Sequence, residues 1–270
     1  MDIVVCIKQV PDTVEVKINP ETNTLIREGV ASIINPFDMY ALEESLRLKE
    51  RLGGAVTALS MGPPQAQDAL REALSLGIDS AIHLCDRAFA GSDTWATSLI
   101  LARAIEKIGQ DKFEGKGVDL IICGKQASDG DTAQVGPGIA AHLDLPQATY
   151  VRKIDTVHLD TSPNMMVVER LLEEGYELLE LSIPAVITVV KEINEPRLPS
   201  LRGKMKARSA IIEQWSNKEL NIEEKLIGLK GSPTQVIKIF TPAQKQGGKI
   251  FEGEPEEIVA QLVAEITDIL

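Results

Sequence analysis

The sequence is poor in cysteine and histidine. Its three cysteines, Cys6, Cys85 and Cys123, are widely spaced, odd in number and without zinc-ligand spacing. Neither a disulfide framework nor a zinc site is therefore expected. Each stands at or near the end of an apolar run that reads as a strand, and all three are expected as reduced thiols in the core of a cytoplasmic protein. His83, His142 and His158 likewise have no ligand spacing, so no metal site is expected. The longest apolar runs are strand-length, such as AVITVV (185–190), which excludes a spanning helix. The start, MDIVVCIKQV, carries no basic n-region or small-residue cleavage site, so no export signal is expected there. Basic charge is also short: 28 Lys and Arg against 40 Asp and Glu give a net charge of -12, which argues against general nucleic-acid binding. No GxGxxG opens a helix, and neither a GxxxxGK[ST] phosphate loop nor a GxSxG elbow occurs. No acid–base or nucleophile constellation stands out.

What is present is rhythm. The runs IVVCI (3–7), VTALS (56–60), AIHLC (81–85) and DLIIC (119–123) are continuous in Val, Ile and Leu, as in strands buried on both faces. A hairpin is expected over 14–28. Helices fill the gaps. Asp38 can cap one whose inner face carries Ala41, Leu42, Ser45, Leu46, Lys49 and Leu52, stopped by Gly53–Gly54. A second covers 65–76, and Asp93 can cap a third with an inner stripe of Trp95, Leu99, Ala102 and Ile105. A fourth is expected over about 133–143. This alternation predicts an α/β fold with a doubly wound, mostly parallel sheet. Segments 148–159, 165–172 and 176–183 read as antiparallel strands turning at Glu174–Gly175, and 185–190 as a buried strand. The divisions expected are 1–190 as one α/β domain, 191–208 as an exposed loop, and 209–270 as a weakly patterned C-terminal arm ending in an amphipathic helix (254–270).

In such sheets ligands bind outside the carboxyl ends of the strands. The strongest signal there is CGKQASDGDTAQVGP (123–137), which follows a buried strand and precedes a helix. Gly124 and Gly130 permit positive φ and close backbone approach. The amides of Asp131, Thr132, Ala133, Gln134 and Val135 fall at a helix start, where phosphate is stabilised. Gln126 and Gln134 can read an adenine edge or ribose. The competing reading is a purely structural turn with Asp131 as helix cap. NPFD (Asn35, Pro36, Phe37, Asp38), MGPP from Met61, and AGSDT with Asp93, Thr94 and Thr97 close by lie at neighbouring strand ends. Converging on one sheet edge, these loops predict a nucleotide cleft.

The segment NEPRLPSLRGKMKAR (194–208) reverses the charge of the chain, with Arg197, Arg202, Lys204, Lys206 and Arg208 opposed only by Glu195. Leu198 and Leu201 have nothing local to pack on. Apolar residues ringed by charge suggest protein docking; the alternative is a solvated basic face with Leu201 folded back.

These motifs, with VCIKQVPD (5–12), MGPPQAQDALREALSLG (61–77) and the spaced pattern V-x-R-x2-E-E-G-x-E-x-L-x4-P-x-V-I-T from Val168 to Thr188, resemble the electron transfer flavoprotein β subunits over nearly the whole chain. The resemblance implies an adenine-nucleotide site at Cys6, Asn35 to Asp38, Met61 and Gly124 to Val135, Lys125 included. It implies that Leu201 anchors a recognition loop for partner dehydrogenases, with Arg197, Arg202 and Lys206 around it. It also implies that the C-terminal arm packs on an α subunit in a heterodimer. DGDTAQVGP and MKARSA look like the anaerobic, electron-bifurcating kind, in which the site holds FAD reduced by NADH. Asp93, Thr94 and Thr97 would then serve the longer ligand. One electron would go to ferredoxin or flavodoxin and the other, through the α-subunit flavin, to a dehydrogenase of acyl-CoA type. The alternative is a simple carrier subunit holding AMP. Ser128 departs from the family pattern, where an apolar residue is expected. An ATP-binding protein on a similar sheet would need a Gly/Ser-rich loop after the first strand, where this chain has KQVPDT.

Overall fold

The computed structural model describes residues 1–12, 32–113, 115–238 and 248–267. The hairpin expected over 14–28, and Leu270, lie outside the described residues. The chain forms two compact units that part between Ile237 and Lys238.

The first unit runs β1 (Ile3–Cys6), β2 (Gln9–Pro11), β3 (Ser32–Ile34), α1 (Pro36–Leu52), β4 (Val56–Met61), α2 (Gln67–Leu76), β5 (Ser80–Leu84), α3 (Thr94–Asp111), β6 (Leu120–Gly124) and α4 (Val135–Leu143). It continues through β7 (Gln147–His158), β8 (Met165–Leu172), β9 (Gly175–Ser182), β10 (Ala185–Val189), α5 (Leu201–Ser209), β11 (Glu213–Trp215), α6 (Asn217–Leu220) and α7 (Gly228–Gly231). A nine-stranded sheet has the order β11-β5-β4-β1-β6-β10-β7-β8-β9; β2 and β3 pair separately. From β11 to β7 the pairings are parallel, and β8 and β9 add antiparallel. This is the expected α/β architecture.

The continuous apolar runs follow from burial on both faces. Ile3 and Val5 join the core layer containing Ala41 and Leu42 of α1 and Leu70 of α2, whereas Val4 and Cys6 join the layer containing Ile100 of α3 and Ile139 of α4. In β6, Leu120 and Ile122 belong to the first layer, and Ile121 and Cys123 to the second. With side chains alternating and both faces covered, every position must be apolar.

Several local expectations are corrected. Asn35 is the N-cap of α1, with Pro36 in the first turn; Asp38 lies inside that turn, buried. Glu43 and Glu44 are buried beside Ala41, Leu42, Ser45 and Leu46 because residues 194–197 bond to that side of α1, Leu48 joins the core, and Lys49 and Leu52 of the expected face are only half-buried. On α3 the buried stripe is Ala96, Ile100, Leu101, Ala104, Ile105 and Ile108 together with Ala102, while Trp95 is exposed and meets the His142 ring at a tilt, with centroids 4.5 Å apart. The β8–β9 turn sits at Glu173–Glu174, with Gly175 already paired to Leu172.

The basic segment is not a loop throughout. Ser200 caps α5 by accepting the Gly203 N–H at 3.0 Å, so Leu201 opens a helix. At its other end, Arg71 of α2 donates to the Ala207 carbonyl at 2.6 Å. The boundary drawn at 209 falls inside the first unit, because β11 extends the sheet by pairing with β5.

The second unit contains α8 (Pro255–Thr267), none of whose residues is buried; Val259, Leu262, Val263 and Ile266 are exposed. Among the described residues, no helix is long and apolar enough to cross a membrane.

Candidate functional site

After β1 the chain builds outward through β4 and β5, then returns to place β6 on the other side of β1. The crevice of a doubly wound sheet opens at this reversal, outside the carboxyl ends of β1 and β6. Cys6 and Cys123 are partners in register at those ends, both buried. The hydrogen bond its S–H shares with Cys6 and its burial push the Cys123 thiol up, which disfavours the thiolate.

Asn35 and Asp38 hold the crevice together. Asn35 is 1% exposed. Its Nδ2 donates to Asp38 Oδ1 at 2.9 Å and to the Gln126 carbonyl at 2.8 Å, and its Oδ1 accepts the Ser128 N–H at 3.0 Å. These bonds make Asn35 a positioner of the 124–131 loop, with one acceptor site of its Oδ1 not used by them. Asp38 Oδ2 accepts the Lys8 N–H at 2.7 Å. Burial raises the Asp38 carboxyl from 3.8 to about 7, against the pull of its bonds to Asn35, Lys8 and Gly124. A carboxyl raised in the folded state stabilises the fold fully below the unfolded value and loses that contribution as pH rises through about 7. Wild type should therefore lose roughly 2–4 kcal/mol relative to Asp38→Asn between pH 4 and 8. Denaturant unfolding across that range measures it, and a pH-independent difference would contradict it.

The other strand-end loops close on the same edge. Gln9 Nε2 donates to the Gln65 carbonyl at 2.9 Å, tying the β1 loop to the turn after Met61. Thr94 Oγ1 donates to Gln134 Oε1 at 2.8 Å, joining the start of α3 to the start of α4. The Lys125 ammonium lies over the rings of Phe37, at 5.7 Å, and Tyr150, at 5.0 Å. Gln126 bonds Asp131. Thr97, half-buried, sits one turn into α3.

Three expectations change. Neither Gly124 nor Gly130 has positive φ; Asp131 (53°) and Ala133 (54°) do, which delays the start of α4 to Val135 and makes Gln134, not Asp131, its N-cap. The Gly130 Cβ position is open space, so no strain would follow from a side chain there. Asp93 does cap α3 through the Ala96 N–H at 3.0 Å, but its other oxygen accepts from the Thr234 N–H and Oγ1, both at 2.9 Å. Its carboxylate is thus used by the chain itself. Sequence reading missed two contributors. One is the strap 228–234, which was part of the weakly patterned region. The other is Lys8, paired with Asp129 at 2.6 Å.

The α4 N-terminus has no side-chain cap, and it faces a loop with open space at Gly130. A helix start without a side-chain cap suits a phosphate group, here through the Val135 and Gly136 amides, since Pro137 has no N–H.

In the docking segment Leu201, Arg202 and Lys206 are exposed, with Leu201 at 78%. Arg197 is not presented outward: it donates to Glu43 at 2.8 Å and to Glu50 at 2.5 Å, tying the segment to α1.

Fold and crevice together define a doubly wound α/β protein built to hold a ligand at its switch point. The model of the electron transfer flavoprotein domain matches residues 22–220. The chain is 50% identical over 264 residues to the electron transfer flavoprotein subunit beta of Thermoanaerobacterium thermosaccharolyticum, covering 97% of this chain and 96% of that one. It is 46% identical to the caffeyl-CoA reductase-Etf complex subunit CarD of Acetobacterium woodii, covering 99% and 98%. To the protein FixA of Azotobacter vinelandii it is 51% identical, covering 90% and 84%. The chain belongs to the electron transfer flavoprotein family, as a β subunit. Membership implies an α-subunit partner and, in general terms, flavin or AMP binding.

Proposed function

We propose that this β subunit holds FAD in the crevice and works in an NADH-dependent electron-bifurcating complex. When bound, FAD supplies the redox chemistry: two electrons from NADH, one destined for ferredoxin or flavodoxin and one for the α-subunit flavin. The observation that carries the reading is the Thr94–Gln134 hydrogen bond, which makes one continuous wall of the α3 and α4 starts. A ligand longer than AMP needs such an extension beyond the β1–β6 crevice. Residues of this chain would bind and orient: the α4 first-turn amides a pyrophosphate, and Thr94 and Thr97 the part beyond it. Because CarD is named as part of a CoA-ester reductase complex, a flavin-dependent acyl-CoA dehydrogenase is the proposed partner, docking at Leu201, Arg202 and Lys206.

One observation favours the carrier alternative with AMP. The α3 start is occupied from within, by Asp93 on the Ala96 N–H and by Leu229 against Gly91. Nucleotide analysis of the complex with its α subunit separates the two. Two FAD per αβ pair, one bleached directly by NADH, is the expected result. One FAD plus one AMP, unreactive with NADH, would leave family membership intact and defeat bifurcation.

A further inference from the structure

The crevice is spanned by a side chain to which no role has been given. Lys8 directly follows the β1 region, and its main chain is held on both sides. Its N–H donates to Asp38 Oδ2 at 2.7 Å, and its carbonyl accepts the Asn35 N–H at 2.8 Å. The side chain alone is left to move. It crosses from β1 to the loop after β6, where Nζ meets both oxygens of Asp129 at 2.6 and 2.8 Å.

This ion pair is not a core element. The two side chains are 48% and 28% exposed, and pairs in such surroundings contribute little to stability and open readily. Its position is informative. Asp129 adjoins Gly130, where space is open, and the loop leads to the uncapped start of α4. The charged groups shown against Lys8 are Asp38, which accepts its main-chain N–H, and Asp129, which pairs with its ammonium. The nearby cation, Lys125, is engaged by the rings of Phe37 and Tyr150. A phosphate group entering here meets the Asp129 carboxylate, and the ammonium positioned to offset that charge is Lys8.

We infer that Lys8 is a phosphate-binding residue held in place by Asp129, exchanging that carboxylate for a phosphate oxygen when an adenine nucleotide enters. The inference rests on the reading of the crevice as a nucleotide site. A phosphate carries more negative charge than one carboxylate and offers more acceptor oxygens, so it competes for the ammonium on favourable terms. Asp129, released, turns to solvent, with which it is already in contact. The pinned main chain keeps the ammonium within reach throughout.

The test uses the complex with its α subunit, freed of nucleotide and titrated calorimetrically with ADP and, separately, with adenosine. Lys8→Met should weaken ADP binding about tenfold and leave adenosine binding unchanged, because only ADP offers phosphate. Asp129→Asn should strengthen ADP binding several-fold, and that gain should vanish in the Lys8→Met background. Equal losses for ADP and adenosine in Lys8→Met would overturn the inference, since a structural lysine acts on both. A gain from Asp129→Asn that persists without Lys8 would also overturn it, because simple repulsion would then suffice. If the wild-type complex binds neither ligand, the nucleotide reading itself fails, an outcome distinct from the others.

Discussion

Replacing Gly124 by alanine should destabilise the protein by about 3 kcal/mol or more and leave the crevice without nucleotide. Gly124 ends β6 without a left-handed backbone, so conformational freedom is not why glycine stands there. The reason is the close approach of α1. A Cβ at this position would lie 2.7 Å from the Phe37 carbonyl carbon and 2.8 Å from the Asp38 amide nitrogen, and nearer still to the Asp38 carboxylate. Two of those contacts are backbone, which cannot rotate away. The turn cannot retreat either, because Lys8, Asn35 and Gln126 fasten it. Gly130→Ala is the control: its Cβ meets nothing within 4 Å and its φ is not positive, so stability should hold within about 0.5 kcal/mol. Denaturant midpoints and nucleotide content measure both variants. Gly124→Ala at wild-type stability with full nucleotide would show that the approach of α1 to β6 constrains nothing.

Arg197→Ala should cost about 3 kcal/mol and loosen the docking segment. The Glu43 side chain is 5% exposed and receives Arg197 Nε at 2.8 Å and Nη2 at 3.2 Å, with the Arg197 main-chain N–H at 3.1 Å. Burial works to raise the Glu43 carboxyl, but the hydrogen bonds from Arg197 and Arg47 outweigh it and hold the group below its ordinary value. Removing the guanidinium leaves a buried carboxylate with Arg47 as its one remaining cation partner in the bonds described. The bond to Glu50 adds less, being solvent-screened. Because the Glu43 value is lowered by folding, its contribution is present above the ordinary carboxylate range and fades as pH falls through it. The Arg197→Ala deficit should therefore be largest near neutrality and shrink in acid. Arg197→Lys should recover only part of it, since an ammonium cannot bridge two carboxylates in the same fork geometry. Leu201→Ala, altering an exposed side chain, should leave stability unchanged, so that any loss of partner binding reports docking alone. Unfolding of Arg197→Ala at wild-type denaturant concentration would show that the Glu43 pairing is dispensable.

How much of this was legible follows from where each signal resides. The parallel core was legible because burial on both faces forces runs such as IVVC and LIIC, and Gly53 and Gly77 marked two helix ends correctly. The convergence of loops was legible through the strand-end rule for such sheets. β11 was not: Glu213–Trp215 has no periodicity, and it is a strand because β5 offers it an edge. α5 was hidden for a similar reason. Its sequence is polar and basic, and its helix depends on the Ser200 cap and on Arg71, which is 136 positions from Ala207. The α4 start was misplaced because two non-glycine residues, Asp131 and Ala133, adopt left-handed conformations. The Lys8–Asp129 pair joins residues 121 positions apart and leaves no local trace.

The position of β11 also dictates an order of events as the chain is made. β5 lies at the outer end of the parallel series, and its open side is covered by residues 213–215, which emerge only after the docking segment has been synthesised. Until then the nascent sheet keeps a strand with unpaired amides and carbonyls, the surface through which incomplete chains associate with one another. The docking segment lies between β10 in the sheet interior and β11 at its rim, and its ties to α1 and α2 through Arg197 and Arg71 are separate from that last strand. A polypeptide released before Trp215 would therefore carry the nucleotide-side elements and a docking segment fastened to α1 and α2, yet be prone to aggregate through the uncovered β5 edge.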